Sequence, residues 1–168
     1  MFRKLYIYCI LLGLTVLLVT SCAAPVVTNA SIPEVADAYL NNGKVAKISA
    51  GELHSKITDA NADNDPFILS VRCSEHYAKG HIPGAINIPW RKVAKGENLA
   101  KLPKDRQIVV YCDTGHTGSQ ITALLNIMGY NAVNLQFGMT SWSLDEDVAP
   151  GRYNESKDCK NYPFVTGP

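Results

Sequence analysis

Little in this 168-residue chain is present in excess. Sixteen basic residues stand against 15 acidic ones, a formal charge of +1, so neither a nucleic-acid surface nor an acidic partner is indicated. Five cysteines are too few and too irregularly spaced for a disulfide-framework miniprotein. None of them forms a C-x-x-C pair, which argues against a zinc knuckle or a thioredoxin-type site. His54, His76, His81 and His116 lack both H-x-x-x-H spacing and carboxylate-rich surroundings, so no metal site is expected. His81, in "GHIPGA", reads better as a turn-stabilising hydrogen-bond partner than as a base or ligand. There is no internal repeat. With 46% apolar and 18% charged residues, the chain can bury an ordinary core, and its length suits one domain with appendages.

The longest apolar run comes first. "MFRKLYIYCILLGLTVLLVTSCAAP" opens with Arg3 and Lys4, continues apolar from Leu5 to Val19, and ends in small residues. Basic, apolar, small is the order of an export signal, and the run is short for a stable membrane span. "LLVTSC" resembles the bacterial lipobox, which implies removal of residues 1–21 and acylation of Cys22. Each buried acyl methylene contributes roughly 0.8 kcal/mol, so several chains would anchor the protein to a membrane. Ala24 rather than Asp follows two residues on, which by the same resemblance favours the outer membrane where a host has one, and the cell membrane otherwise.

Residues 22–43 read as a lipid-anchored tether plus a short helix, with Pro33 at the helix start and Asn-Asn-Gly at its end. From 44 to 147 strand-like and helix-like segments alternate. "AKIS", "FILSVR", "AINIP", "QIVVYC" and "NAVNLQFG" suit strands, several as continuous apolar runs of the kind buried in parallel sheets. "SAGELHSKITD", opened by Ser49, "SEHYAKG" and "TGSQITALLNIMGY" suit helices. The last places Ile121, Leu124, Leu125 and Met128 on one face. Such alternation predicts a single α/β domain with a mainly parallel central sheet flanked by helices. Residues 148–168 lack periodicity and read as an irregular tail. Trp90 and Trp142 are expected in core or rim packing.

Cys112 stands where "QIVVY" ends and "DTGHT" begins. In parallel α/β sheets, ligands bind beyond the carboxyl ends of the strands. The loop runs into a helix, so its N–H groups and the helix N-terminus can converge on one point and favour an anion, whether thiolate or persulfide. Gly115 permits the tight turn. The thiolate is the reactive form of cysteine, which makes Cys112 a candidate nucleophile.

"YCDTGHTGSQITALLNIMGYNAVNLQFGMTSW" resembles the second half of a rhodanese (sulfurtransferase) domain. There the loop takes the form C-x-x-G-x-T or C-x-x-G-x-R, matched here by Cys112, Gly115 and Thr117. "FILSVRCSEHYAKGHIPGAINIPW" resembles the family's longer signature, D-V-R-x-x-x-E-[YF]-x-x-G-H-I-P-G-A-I-N-I-P. The resemblance implies the rhodanese fold, Cys112 as the sulfur carrier, and Asp113, Thr114, Gly115, His116, Thr117 and Gly118 as the loop around it. It implies no cofactor, and as partners a small sulfur donor with a thiol or protein acceptor. Arg72 and Glu75 would form an ion pair holding a strand-to-helix turn.

Several positions depart from that pattern. Ser70 replaces the usual Asp. Asp113 stands where thiosulfate-using members often have a basic residue, and a carboxylate there is expected to repel a doubly negative donor. His116 either meets the donor or is a solvated loop residue. Cys73 either resolves a persulfide on Cys112, bridges to Cys159, or is a plain substitution. Two functions stay open, a sulfurtransferase and a non-catalytic module that binds sulfide, polysulfide or a partner. A phosphatase or arsenate reductase is disfavoured, because positions 117–120 supply no arginine to clamp an oxyanion.

Overall fold

The computed structural model describes residues 30–167. The expected export signal and Cys22 lie outside the described residues. Among those described, no helix is long and apolar enough to cross a membrane.

Five strands form one sheet in which every pairing is parallel: β1 (Lys47–Ile48), β2 (Phe67–Ser70), β3 (Ile86–Asn87), β4 (Ile108–Tyr111) and β5 (Ala132–Leu135). Their spatial order is β1-β5-β4-β2-β3. β4 is therefore central, and its four residues Ile-Val-Val-Tyr are all buried because both faces are covered. Alternation divides them between two cores. Ile108 and Val110 pack on one face with Leu69, Ile121 and Leu125. Val109 and Tyr111 pack on the other with Ile68, Leu53 and Leu135. Cys112 continues the first series and lies in the core that holds Ile121 and Leu125.

Seven helices accompany the strands among the described residues: α1 (Ile32–Leu40), α2 (Ala50–Thr58), α3 (Ser74–Lys79), α4 (Gly96–Leu99), α5 (His116–Ile127), α6 (Met139–Trp142) and α7 (Glu155–Asp158). The starts of α1 and α2 follow from local chemistry. Each opens on a capping box, Ser31 with Glu34 and Ser49 with Glu52. The Ser49 hydroxyl accepts the Glu52 N–H at 3.2 Å, while the Glu52 carboxylate accepts the Ser49 N–H at 2.8 Å. Ser49→Ala is expected to lower unfolding stability by about 1 kcal/mol in urea titration, the usual cost of a lost N-cap. α5 buries Ile121 and Leu125 as the spacing predicts, but Leu124, at the flank of that stripe, is 38% exposed.

The segment after 147 is less irregular than its sequence suggests. Ala149 is buried in the second core, the Val148 carbonyl accepts a hydrogen bond from Arg72, and α7 is a short capped helix. α1 packs against α5.

Candidate active site

The strand-to-helix junction after β4 is short. Tyr111 ends the strand, Cys112, Asp113 and Thr114 make the loop, and Gly115 in the left-handed region (φ 93°) is the N-cap of α5. Gly115 donates its N–H to Cys112 Sγ at 3.1 Å. The first amide to find an acceptor inside the helix is Ser119, which bonds the Gly115 carbonyl at 3.0 Å. The amides before it have no acceptor within the helix, and the positive end of its dipole lies beside the sulfur. This arrangement aims a backbone donor and a helix N-terminus at the sulfur. Cys112 is 6% exposed, so only its outermost surface meets solvent.

A second loop holds the first in place. Met139 N–H donates to the Cys112 carbonyl at 2.9 Å and Thr140 N–H to the Asp113 carbonyl at 3.0 Å. Both donors follow Phe137 and Gly138, between β5 and α6. Gly138 has φ 56° and ψ −144°, a conformation that glycine alone adopts readily. A Cβ on it would crowd the Cys112 carbonyl and lie 2.7 Å from Gly115 N. Gly138→Ala is therefore expected to cost about 1–3 kcal/mol in chemical denaturation, from strain and from backbone it cannot avoid. Phe137 also has a positive φ, 61°, and stands 63% exposed beside the loop.

Arg72 forms the bracket beneath the site. It is 2% exposed, and its guanidinium donates to Asp113 Oδ1 at 2.6 Å, the Gly80 carbonyl at 2.7 Å and the Val148 carbonyl at 2.5 Å. His76 Nδ1 lies 3.1 Å from Asp113 Oδ2. Three segments distant in sequence thus meet on one side chain.

This geometry corrects two expectations. The Arg72–Glu75 pair does not form. Arg72 pairs with Asp113, and the Glu75 carboxyl is held below its usual range by its own backbone N–H and then by the Cys73 side chain, at the start of α3. Nor does Asp113 present an uncompensated charge to a donor, because Arg72 takes one of its oxygens and His76 lies against the other. The electrostatic objection to a doubly negative donor loses its basis. Residues 70 and 72 share a face of extended chain, so a carboxylate at 70 would have been Arg72's near neighbour. With Ser70 there, buried, the carboxylate comes from Asp113 instead. Burial also pushes the Tyr111 phenol up, with the Ser70 hydroxyl and the Ile82 N–H partly opposing, so it stays a neutral hydrogen-bond partner.

The remaining loop residues fall as follows. His116 is exposed, and its Nδ1 lies 2.7 Å from Thr114 Oγ1, so its ring is turned along the loop. Thr117 is partly buried and Gly118 buried in the first turn of α5. Cys73 and Cys159 are both free and exposed, with no disulfide between them. Among the described residues no cluster of His, Cys, Asp or Glu could hold a metal. His81 bonds the Tyr77 carbonyl at 3.0 Å and stacks on the Tyr77 ring, a role in the turn. Trp90 lies at the rim, 40% exposed, and Trp142 packs against the second core. Sequence reasoning missed His76, Gly138 and Val148. Gly138, a glycine three residues after β5 and just before α6, was the one with a visible signal.

Residues 49–145 match the family described as Rhodanese-like domain. A protein named sulfurtransferase from Allochromatium vinosum is 30% identical over 100 residues, 59% of this chain and 89% of that protein. The "Probable adenylyltransferase/sulfurtransferase MoeZ" of Mycobacterium tuberculosis is 39% identical over 77 residues, 45% of this chain but only 20% of its own length. The chain thus spans about a fifth of that larger relative. A rhodanese-like domain protein from Staphylococcus aureus has the same fold, with a TM-score of 0.53 at 28% identity over 59% of this chain and 92% of that one. Two signatures in sequence order, a parallel sheet, and a cysteine held at the mouth of a helix agree with this match. The chain belongs to the rhodanese-like domain family.

Proposed function

We propose that the protein is a sulfurtransferase that carries sulfane sulfur on Cys112 as a persulfide. The observation that carries this reading is the Gly115 N–H on Cys112 Sγ at 3.1 Å, at the N-terminus of a 12-residue helix. In the first half-reaction the Cys112 thiolate attacks the outer sulfur of the donor. The bond from that sulfur to the rest of the donor breaks (S–S in thiosulfate or polysulfide, C–S in 3-mercaptopyruvate), the remainder leaves with the bonding pair, and a persulfide stands on Cys112. In the second, an acceptor thiolate attacks that outer sulfur, takes it, and leaves Cys112 as the thiolate. Electrons balance without an external oxidant or reductant, and the fixed backbone dipoles favour the anion at each stage. No cofactor is required.

Export and lipid anchoring through Cys22 are part of the same proposal and rest on the sequence of the first 24 residues. They place the reaction outside the cytoplasm, with a small sulfur donor and a thiol or protein acceptor.

One observation favours a second reading. Cys112 is 6% exposed, so a donor reaches little of its surface, as befits a module that binds sulfide or a partner without turnover. Mass analysis separates the two. The reduced protein is incubated in turn with thiosulfate, 3-mercaptopyruvate and polysulfide, then mapped for one added sulfur on Cys112. Addition that cyanide or a thiol discharges is the expected result. A folded protein that takes sulfur from none of the three is the binding module.

A further inference from the structure

The carboxylate that follows the nucleophile is a rival for the nucleophile's own hydrogen bond. An Asp side chain readily accepts the backbone N–H two residues further on, and a carboxylate is favoured at a helix N-terminus. Two residues after Asp113 comes Gly115, the N-cap of α5, whose N–H is held by Cys112 Sγ at 3.1 Å. That N–H is the one hydrogen bond to the sulfur among the described residues. Asp113 does not take it, because both of its oxygens are turned elsewhere. Oδ1 accepts from Arg72 Nε at 2.6 Å, and Oδ2 lies 3.1 Å from His76 Nδ1. Thr114, the other polar side chain of the loop, is occupied as well, by His116 Nδ1 at 2.7 Å.

We propose that His76 is a positioning residue for Cys112, holding the second oxygen of Asp113 off the loop so that the Gly115 N–H and the start of α5 remain for the sulfur. Arg72 does not do this alone. It gives Asp113 only Nε, since its other two nitrogens donate to the Gly80 and Val148 carbonyls. A carboxylate only accepts, so the His76 Nδ1 that faces it carries the proton whichever form the ring takes. The His76 side chain is 36% exposed and that of Asp113 27%, so without the ring this oxygen meets water and is free to turn toward Gly115. The inference rests on Cys112 being the reactive thiol of the proposed sulfur transfer.

Alkylation tests it without any sulfur donor. The reduced protein is treated with iodoacetamide at neutral pH, and peptide mapping follows Cys112 separately from the exposed Cys73 and Cys159. His76→Leu is expected to slow alkylation of Cys112 about tenfold, the low end for one hydrogen bond to a charged group. His76→Asn sets an N–H donor where Nδ1 stands and should recover most of the rate. Adding Asp113→Ala to His76→Leu removes the rival acceptor and should also restore reactivity, a gain that packing by His76 does not predict. A wild-type rate in His76→Leu would overturn the proposal. So would equal slowing in His76→Leu and His76→Asn, or a folded double variant slower than His76→Leu alone. Absence of sulfur uptake alongside the expected alkylation rates would count against the sulfurtransferase reading only.

Discussion

Cys112→Ser is expected to abolish sulfur uptake at position 112 and leave the fold intact. A serine hydroxyl is not ionised at neutral pH, and removing the nucleophile from an assembled site costs on the order of 10⁶ in rate. The loop itself should survive. Serine oxygen can accept the Gly115 N–H that Sγ accepts now, and the lost packing in the core around Ile121 and Leu125 should cost about 1 kcal/mol. Peptide mapping after exposure to donor is the decisive readout, because Cys73 and Cys159 are exposed thiols that can react on their own. Discharge of sulfur to an acceptor at an unchanged rate in the variant would move the chemistry to one of those two.

Arg72→Met should lower unfolding stability by about 3 kcal/mol. Removing one partner of a buried ion pair typically costs about 3–5 kcal/mol, mostly by leaving the other partner uncompensated. Asp113 is 27% exposed at its side chain and keeps His76, which argues for the low end. Against that, the Gly80 and Val148 carbonyls lose their guanidinium donors, and methionine offers none. Urea denaturation at neutral pH measures the sum. A loss under about 1 kcal/mol would mean that Arg72 contributes packing only. The variant should also loosen residues 148–152, since Val148 is tied to the sheet through that side chain.

Much of the domain was legible because the relevant forces are local. Ser49 announces a helix by capping its own first turn, and Pro33 marks the start of another. "FILSVR" and "QIVVYC" announce buried strands because both faces of a parallel sheet are dry, so apolar residues run without alternation. Cys112 was legible for a different reason. A nucleophile at the carboxyl end of a strand, followed by a glycine able to take a positive φ, is a local pattern that marks a candidate site.

Asp113 shows where local reading stops. Its charge was visible, and from sequence alone a carboxylate next to the sulfur predicts repulsion. The partner that reverses this lies 41 residues away on β2's extension, and only the β2–β4 pairing brings the two together. Glu75 fails in the mirror sense. It is three residues from Arg72 and so the natural candidate for a pair, yet its carboxylate is taken by the start of its own helix.

What the sequence by itself determined is the order of the main strands and helices of residues 44–147 and a candidate nucleophile, Cys112, because each depends on neighbours within one or two turns of chain. The tertiary structure decided which strands are adjacent, and hence which charges compensate. It also decided that Gly138 must lack a side chain to let two loops touch, and that Asn134 Oδ1 lies where a side chain on Gly118 would stand. Those facts depend on atoms that are far apart along the chain and a few ångströms apart in space. No local rule of propensity or spacing specifies such a distance.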